Sequence, residues 1–183
     1  MFARSGRAGP GRRSIAAMST PNLFEPEWEH EMSEPFSLRA MRVAHRAGAQ
    51  RLGGTLYEID PGGAISPYHV HHANEEMLVV LAGEPALRTP DGTRTLRPGD
   101  VVAFLAGPEG AHRVSNHGDT PARVLMISTM VTPEVAEHLD TGATLAMTGQ
   151  AEGRIFPHGT GIDVMEALMK GMAAATERDP DAG

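Results

Sequence analysis

Short apolar or alternating segments, separated by turn residues, follow one another through the middle of the chain. Alternation with a period of two is typical of strands that bury one face, and many such strands in succession predict a sandwich or barrel. The interruptions agree, because the Asp-Pro-Gly-Gly run at 60–63 combines residues that fix or invert the backbone. The expected strands are 38–44, 53–60, 68–72, 76–82, 84–88, 94–97, 101–105, 112–116 and 122–130.

The segments before and directly after this block lack the strand pattern. Residues 1–17 carry four arginines and no acid, which indicates a disordered extension, either a real tail or an upstream segment from a misplaced start before Met18. Residues 18–37 are polar and proline-interrupted, so they predict an extended lead-in across the domain surface. Residues 131–162 are mixed and glycine-rich, and they predict one or two edge strands or loops.

A different period appears near the C-terminus. Apolar residues recur there at helical spacing, and Asp163 stands where an N-cap would. The pattern predicts a short helix at about 163–175 within a C-terminal segment, 150–183, that ends in a disordered tail. We expect its apolar stripe to dock on the domain or on a partner subunit. The stripe consists of Met165, Leu168, Met169 and Met172.

Composition and charge narrow the function classes. A chain of 183 residues is the length of one domain, and it contains no cysteine, which excludes disulfides, thiolate metal sites and a cysteine nucleophile. The net charge of −7 argues against nucleic acid as the main partner. No apolar run is long enough for a membrane span, and no secretory-type apolar region is present, so we expect a cytoplasmic protein.

Three histidines and one glutamate carry the candidate chemistry. His69 and His71 stand two apart on a predicted strand and therefore project to the same face. Glu76 enters on the next strand, whereas the adjacent Glu75 points the opposite way, and His112 follows a Pro/Gly turn. Imidazole and carboxylate donors together suit one divalent ion, Fe, Mn, Ni, Zn or Co, and the donor types alone do not choose among these.

These residues match the two sequence motifs of the cupin superfamily. The first motif, Gly-x5-His-x-His-x3–4-Glu-x6-Gly, holds throughout; the second has a longer stretch before Pro108 and places His112 one residue closer to Gly110. The chain thus resembles a small single-domain bacterial cupin, which implies an all-β double-stranded β-helix, a jelly-roll-like barrel, over 38–149. The matching residues are Gly63, His69, His71, Glu76 and Gly83, then Gly99, Pro108, Gly110, His112 and Asn116.

The resemblance implies several activities without choosing among them. Cupins include oxygenases, isomerases, lyases and proteins without catalysis. Our first hypothesis is a metal-dependent enzyme that acts on a small polar metabolite, by oxygenase-type or isomerase/lyase-type chemistry. The alternative is a non-catalytic module that binds a small ligand or metal. A third hypothesis is that the ion only stabilises the fold. A homodimer is expected, because cupins commonly pair through exposed strands.

Other side chains near the motifs are weaker candidates for a role in the site, and no catalytic residue is assigned. Tyr57 and Tyr68 can place hydroxyls at the cavity, although strand aromatics more often pack in a core. Arg42 and Arg88 can bind an anionic substrate, although solvated strand ends are the commoner role. His72 is expected to be solvated or hydrogen-bonded. The remaining candidates for cavity wall or core are Leu78, Phe104 and Met126.

Overall fold

Antiparallel strands make up most of the structure, a computed structural model that describes residues 20–149, 152–161, 165–168 and 170. The all-β prediction is confirmed. None of the helices in these ranges has the length and apolar character that a membrane crossing requires. The strands are β1 (His30–Met32), β2 (Leu38–Met41), β3 (Gly53–Ile59), β4 (His69–His71), β5 (Glu76–Ala82), β6 (Ala86–Thr89), β7 (Gly92–Thr95), β8 (Val101–Phe104), β9 (Arg113–Ser115), β10 (Ala122–Ser128), β11 (Glu134–His138), β12 (Ala143–Gly149) and β13 (Glu152–Pro157).

The largest sheet has six strands in the order β1-β2-β3-β10-β5-β8. Its central strands alternate as the sequence predicted: Leu78 and Val80 of β5 are buried, as are Val124 and Met126 of β10. Fully burying each such side chain contributes about 1.5–3 kcal/mol, so this inner face supplies much of the stability. The core cluster contains Ile59, Leu78, Val80, Leu87, Leu96, Phe104, Val114, Val124 and Met126.

Two smaller sheets complete the barrel. One has the order β13-β12-β11-β4, and the other has the order β7-β6-β9. Two isolated backbone bridges lie between them: His69 of β4 pairs with His112, and Ala64, before β4, pairs with Ser115 of β9. These bridges bring β4 beside the segment that precedes β9, so residues far apart in sequence meet at one end of the core.

The lead-in over residues 20–37 lies against the six-stranded sheet. Its strand β1 pairs with β2, and Trp28 lies near two guanidinium groups, 5.4 Å from Arg39 and 5.7 Å from Arg123. Both arginines bind the buried carboxylate of Glu58, with Nε of Arg123 at 3.0 Å. A buried charge needs such partners, and this network also attaches the lead-in to the barrel.

One predicted strand is shorter than expected. The strand placed at 38–44 ends at Met41, and Val43–Arg46 form a short helix, α1. The apolar run continues through Ala44, so the pattern gave no sign of the change. No side chain caps the start of α1 by a hydrogen bond, and the usual sequence signal for a helix start is therefore missing.

The C-terminal part of the barrel holds more strands than the sequence predicted. Residues 131–162 contain three strands, β11, β12 and β13, where one or two edge strands or loops were expected. Residues 165–168 and 170 are helical, which confirms a small helix within the predicted 163–175. The rest of that helix with Asp163, the extension at 1–17 and the C-terminal tail lie outside the described residues.

A single 3₁₀ turn, Pro108–Gly110, leads into the second motif. A Cβ on Gly110 would lie 1.7 Å from the carbonyl oxygen of Leu105, so the backbone passes too close there for any side chain. The turn therefore fixes the path of the chain just before His112.

Candidate metal centre

Two strands and one loop bring the predicted donors close together, with His69, His71 and Glu76 in one group and His112 beside Glu76. His69 and His71 project from the same face of β4, and Val70 between them is buried on the other face. Glu76 opens β5 in the six-stranded sheet. His112 is held beside His69 by two backbone hydrogen bonds, of 3.1 and 2.8 Å, so one backbone pairing sets the position of both imidazoles.

The donor atoms converge closely. Nε2 of His69 lies 3.1 Å from Nε2 of His71, which in turn lies 3.4 Å from Oε2 of Glu76. Ligand atoms of these three residues all lie within 4.8 Å of one another, a spacing that one ion can span. Nε2 of His112 approaches the same carboxylate oxygen to 3.2 Å. The exposed Glu75 stands outside this group, as the alternation predicted.

The other ring nitrogens of two histidines are engaged with backbone carbonyls. Nδ1 of His69 donates to the carbonyl of Pro67 at 3.0 Å, and Nδ1 of His112 donates to the carbonyl of Gly110 at 2.9 Å. A carbonyl oxygen only accepts, so each Nδ1 carries the proton and each Nε2 keeps a lone pair that can bind a cation. Nε2 of His112 is buried and has no hydrogen-bond partner. This orphaned acceptor fits a bound cation.

Burial and mutual contact set the charge of the cluster. Burial, together with the nearby His112 and His71, lowers the pKa of His69 to about 4, so its imidazole is neutral near pH 7. Burial alone would raise the pKa of Glu76, but contacts with His112 and His71 outweigh it and lower that pKa. An ionised carboxylate beside a neutral imidazole is the protonation pattern that a divalent ion requires.

Phe104 fixes the ring plane of His112. The two rings stack with centroids 3.8 Å apart and planes 8° from parallel. Phe104 belongs to the hydrophobic core, so the core itself holds this imidazole in place. Of the alternatives that the sequence left open for Phe104, the core role is the one observed.

Glu134 is a candidate functional residue that the sequence analysis missed. It lies on β11, is only 3% exposed, and places Oε1 3.5 Å from Nδ1 of His71. The same oxygen accepts hydrogen bonds from the backbone N–H groups of His72 at 3.0 Å and Ala73 at 3.4 Å, while Oε2 accepts one from Asn74. Metal binding at Nε2 of His71 requires the proton on Nδ1; that nitrogen is buried without a hydrogen bond, and the carboxylate of Glu134 is a negative charge beside it.

Two cavities open onto the donors. The methionine cavity, of about 230 Å³, is lined by Met126, Met130 and Met147 and reaches His71, Glu76 and Glu134. The imidazole cavity, of about 220 Å³, is lined by His69, His71 and His112. Tyr57, His71, Glu76 and Met126 border both. A cation held by these donors would therefore be accessible to a ligand.

Of the two tyrosines, only one borders the donor cavities. Tyr57 lies between both, and burial raises the pKa of its phenol, which keeps its proton. Tyr68 is buried in a separate cluster with Arg88 4.0 Å above its ring, and it borders neither cavity. Tyr57 therefore remains a candidate to contact a ligand.

The other secondary candidates have partners elsewhere. Arg88 binds Asp140 at 2.6 Å, and Arg42 binds an acidic residue of the lead-in at 3.0 Å. His72 hydrogen-bonds through Nε2 to Glu137 at 2.8 Å, as expected for a solvated, hydrogen-bonding histidine. These side chains therefore form ion pairs or hydrogen bonds at the surface and are not parts of the donor cluster.

Comparison with known proteins agrees with this architecture. Residues 55–128 match the family model of the cupin domain. The chain is 37% identical over 87 residues to the auxin-binding protein ABP19b of Prunus persica, a match that covers 44% of this chain and 40% of that protein. The chain thus spans well under two thirds of that relative.

Solved structures show the same fold. A sugar phosphate isomerase of the cupin superfamily from Silicibacter pomeroyi superposes with a TM-score of 0.68 at 24% identity, covering 80% of this chain and 98% of that one. A putative sugar phosphate isomerase from Acidithiobacillus ferrooxidans gives 0.64 at 24% identity, covering 69% and 80%. The chain therefore contains a cupin domain, and the predicted cupin fold is confirmed.

Proposed function

We propose that this protein is a metal-dependent cupin enzyme acting on a small metabolite. His69, His71, Glu76 and His112 hold one divalent ion, Fe, Mn, Ni, Zn or Co. One observation carries the proposal: imidazole nitrogens and an ionised carboxylate converge, with an unpartnered buried Nε2, where two cavities meet. Such a donor set suits a bound cation, whereas burying these polar groups in a purely apolar core would cost free energy.

The cavities favour an ion that can bind a ligand over an ion that only stabilises the fold. A structural ion is typically enclosed by its ligands, whereas these donors border open space on two sides. When bound, the ion would polarise a ligand oxygen or, if redox-active, support oxygen chemistry. The chain itself contributes Tyr57, whose neutral phenol can donate a hydrogen bond to a ligand in either cavity. Oxygenase-type and isomerase/lyase-type chemistry are both compatible with these groups.

A non-catalytic binding module is the second candidate. The curated relative is named as an auxin-binding protein, which favours ligand capture, while the two structural relatives are named as isomerases, which favours an enzyme. The two candidates share the same donors and cavities. They differ in whether a bound ligand is turned over.

Metal analysis tests the site directly. Full-length protein purified without chelator is expected to contain about one divalent ion per chain, and His69→Ala and His112→Ala are expected to lose it. The matched control is His72→Ala, because His72 neighbours the donors but binds Glu137. A metal-free wild type after reconstitution, or unchanged metal content in both donor variants, would refute the proposal. Substrate-dependent turnover that disappears in folded His69→Ala separates the enzyme from the binding module.

We also propose that the protein works as a cytoplasmic homodimer. Strand β13 forms one edge of its sheet and exposes Ile155 and Phe156, by 60% and 47%. An exposed apolar edge strand is a common pairing surface. Light scattering on the purified protein measures the mass, and a monomer at working concentration would contradict this part.

A further inference from the structure

The charge of the two cavities limits what they can bind. Among the described residues that line them, none is Arg or Lys, and the carboxylates are Glu76 and Glu134. Glu134 is almost completely buried in the wall of the methionine cavity, and Glu76 is one of the proposed metal ligands. A phosphate group carries nearly two negative charges near pH 7, and a bound divalent ion would only offset the charges of the two carboxylates, so the described lining offers no further cation to pair with a phosphate. The lining therefore disfavours a phosphorylated ligand.

Arginines that would suit a phosphate are engaged elsewhere in the barrel. Arg39 and Arg123 bind Glu58 under the lead-in, and Arg88 binds Asp140 at the surface. None of these three lines either cavity. Phosphate recognition normally uses such guanidinium groups or backbone N–H groups at a helix start, and these three arginines are not placed to provide it at the donors.

The methionine cavity is shaped for an apolar group. Met126, Met130 and Met147 supply flexible thioether walls that adapt to irregular apolar shapes. A Cβ on Gly53 would lie 2.6 Å from Sδ of Met130, so the glycine lets this methionine lie against the strand. Met130 itself has a left-handed backbone, φ 55°, which a residue with a side chain rarely adopts. The missing side chain of Gly53 and the left-handed backbone of Met130 together place the Met130 thioether in the cavity wall.

We infer that the ligand is a small, unphosphorylated molecule with an oxygen-bearing head at the donor cluster and an uncharged, apolar body in the methionine cavity. This inference rests on the proposed function, which supplies the role of the donors. Neutral hydroxyls of Thr55, Ser128 and Thr132 also line the cavity and can meet a few polar atoms of the body. Substrates of the sugar phosphate class do not match this ligand class.

A pair of probes with the same hydroxyketone head and the same number of heavy atoms tests the inference. 2-Hydroxyacetophenone carries an apolar body, and dihydroxyacetone phosphate carries a charged one. Isothermal titration calorimetry on the full chain, zinc-loaded and metal-free, is expected to show at least about tenfold tighter binding of the apolar probe. Equal or tighter binding of the phosphate, or no binding of 2-hydroxyacetophenone, overturns the inference.

A charge placed in the cavity provides the converse test. Met147→Lys introduces a cation into the wall and is expected to tighten binding of dihydroxyacetone phosphate by about tenfold while weakening the apolar probe. The matched control is Ala146→Lys, because Ala146 lies on the opposite face of β12 and does not line the cavity. Equal effects of both variants on phosphate binding would contradict the assignment of this cavity as the ligand site.

Comparing the zinc-loaded with the metal-free protein tests the ligand class separately from the proposed function on which it rests. The apolar walls do not depend on an ion, so the preference for the apolar probe is expected in the metal-free form as well, with weaker overall affinity. A wild type that binds none of Fe, Mn, Ni, Zn and Co refutes the metal site but leaves the preference measurable. A zinc-binding wild type that prefers the phosphate refutes only the ligand class.

Discussion

Replacing Glu134 by glutamine tests whether this buried carboxylate positions His71 for metal binding. The substitution Glu134→Gln keeps the size of the side chain but removes the negative charge that lies 3.5 Å from Nδ1 of His71. An ion on Nε2 requires the proton on Nδ1, and the carboxylate stabilises that tautomer. Metal affinity is therefore expected to fall although no ligand atom has changed.

The structure sets the size of two separate effects. Loss of a residue that orients a metal ligand typically costs 10–100-fold in affinity, which corresponds to about 1.4–2.8 kcal/mol. Glu134 also accepts hydrogen bonds from the backbone of His72 and Ala73 and from the side chain of Asn74. A single amide oxygen cannot accept from all of them, so the free energy of unfolding is expected to fall by about 1–3 kcal/mol.

Chelator competition at pH 7 measures the affinity, and urea denaturation of the metal-free protein measures the stability. The matched control is Glu137→Gln, the same change on the same strand. Glu137 forms an exposed ion pair with Nε2 of His72, so its loss is expected to cost about 1 kcal/mol or less and to leave metal affinity unchanged. Circular dichroism confirms that both variants are folded at the pH of the titration.

A folded Glu134→Gln variant that binds zinc within about twofold of the wild type would refute the positioning role of Glu134, since the expected loss is at least tenfold. An equal loss in Glu137→Gln would also refute it, because the effect would then follow from total charge rather than from contact with His71. A loss of stability without any loss of affinity would give Glu134 a structural role only, as the acceptor from β11 that holds the turn between β4 and β5.

Two further predictions concern pH and the loop before His112. Folding lowers the pKa of His69 from 6.5 to about 4, so between these pH values the unfolded chain binds a proton that the folded protein does not. The free energy of unfolding of the metal-free protein is therefore expected to fall by about 3 kcal/mol or less as pH drops from 6.5 to 4, and to show no such loss above pH 6.5. Urea denaturation across the window measures this, and an equally steep loss in His69→Ala would contradict it. Gly110→Ala should cost about 1–3 kcal/mol and reduce metal content, because the new Cβ meets the carbonyl of Leu105, whereas Gly161→Ala has open space and should change neither. Metal retained at full stoichiometry in Gly110→Ala would show that the loop adapts.

The strand pattern was sufficient to predict the barrel because each central strand buries one face. Leu78 and Val80 alternate with more exposed residues of β5, so their period was visible in the sequence. The four-residue helix α1 is shorter than two turns and shows no such period. Strands of the 131–162 segment were undercounted, since β12 is half-buried along most of its length and β13 is exposed at every position.

The donor residues could be proposed from spacing, whereas their surroundings could not. His69 and His71 lie two apart on one strand, which by itself places both rings on one face. Glu134 reaches them only through the pairing of β11 with β4, and 62 positions separate it from His72. No local pattern distinguishes Glu134 from an ordinary polar residue on an edge strand. The cavity walls likewise depend on packing between sheets rather than on any one segment.

The place of Trp28 between two guanidinium groups has an experimental consequence. It is the only tryptophan in the chain, so the intrinsic fluorescence excited near the red edge of protein absorption comes from the lead-in alone. Its emission reports whether that segment is attached to Arg39 and Arg123, without a label or a substitution. The protein thus carries its own optical probe for detachment of the lead-in, which circular dichroism of the strands can be compared against during unfolding.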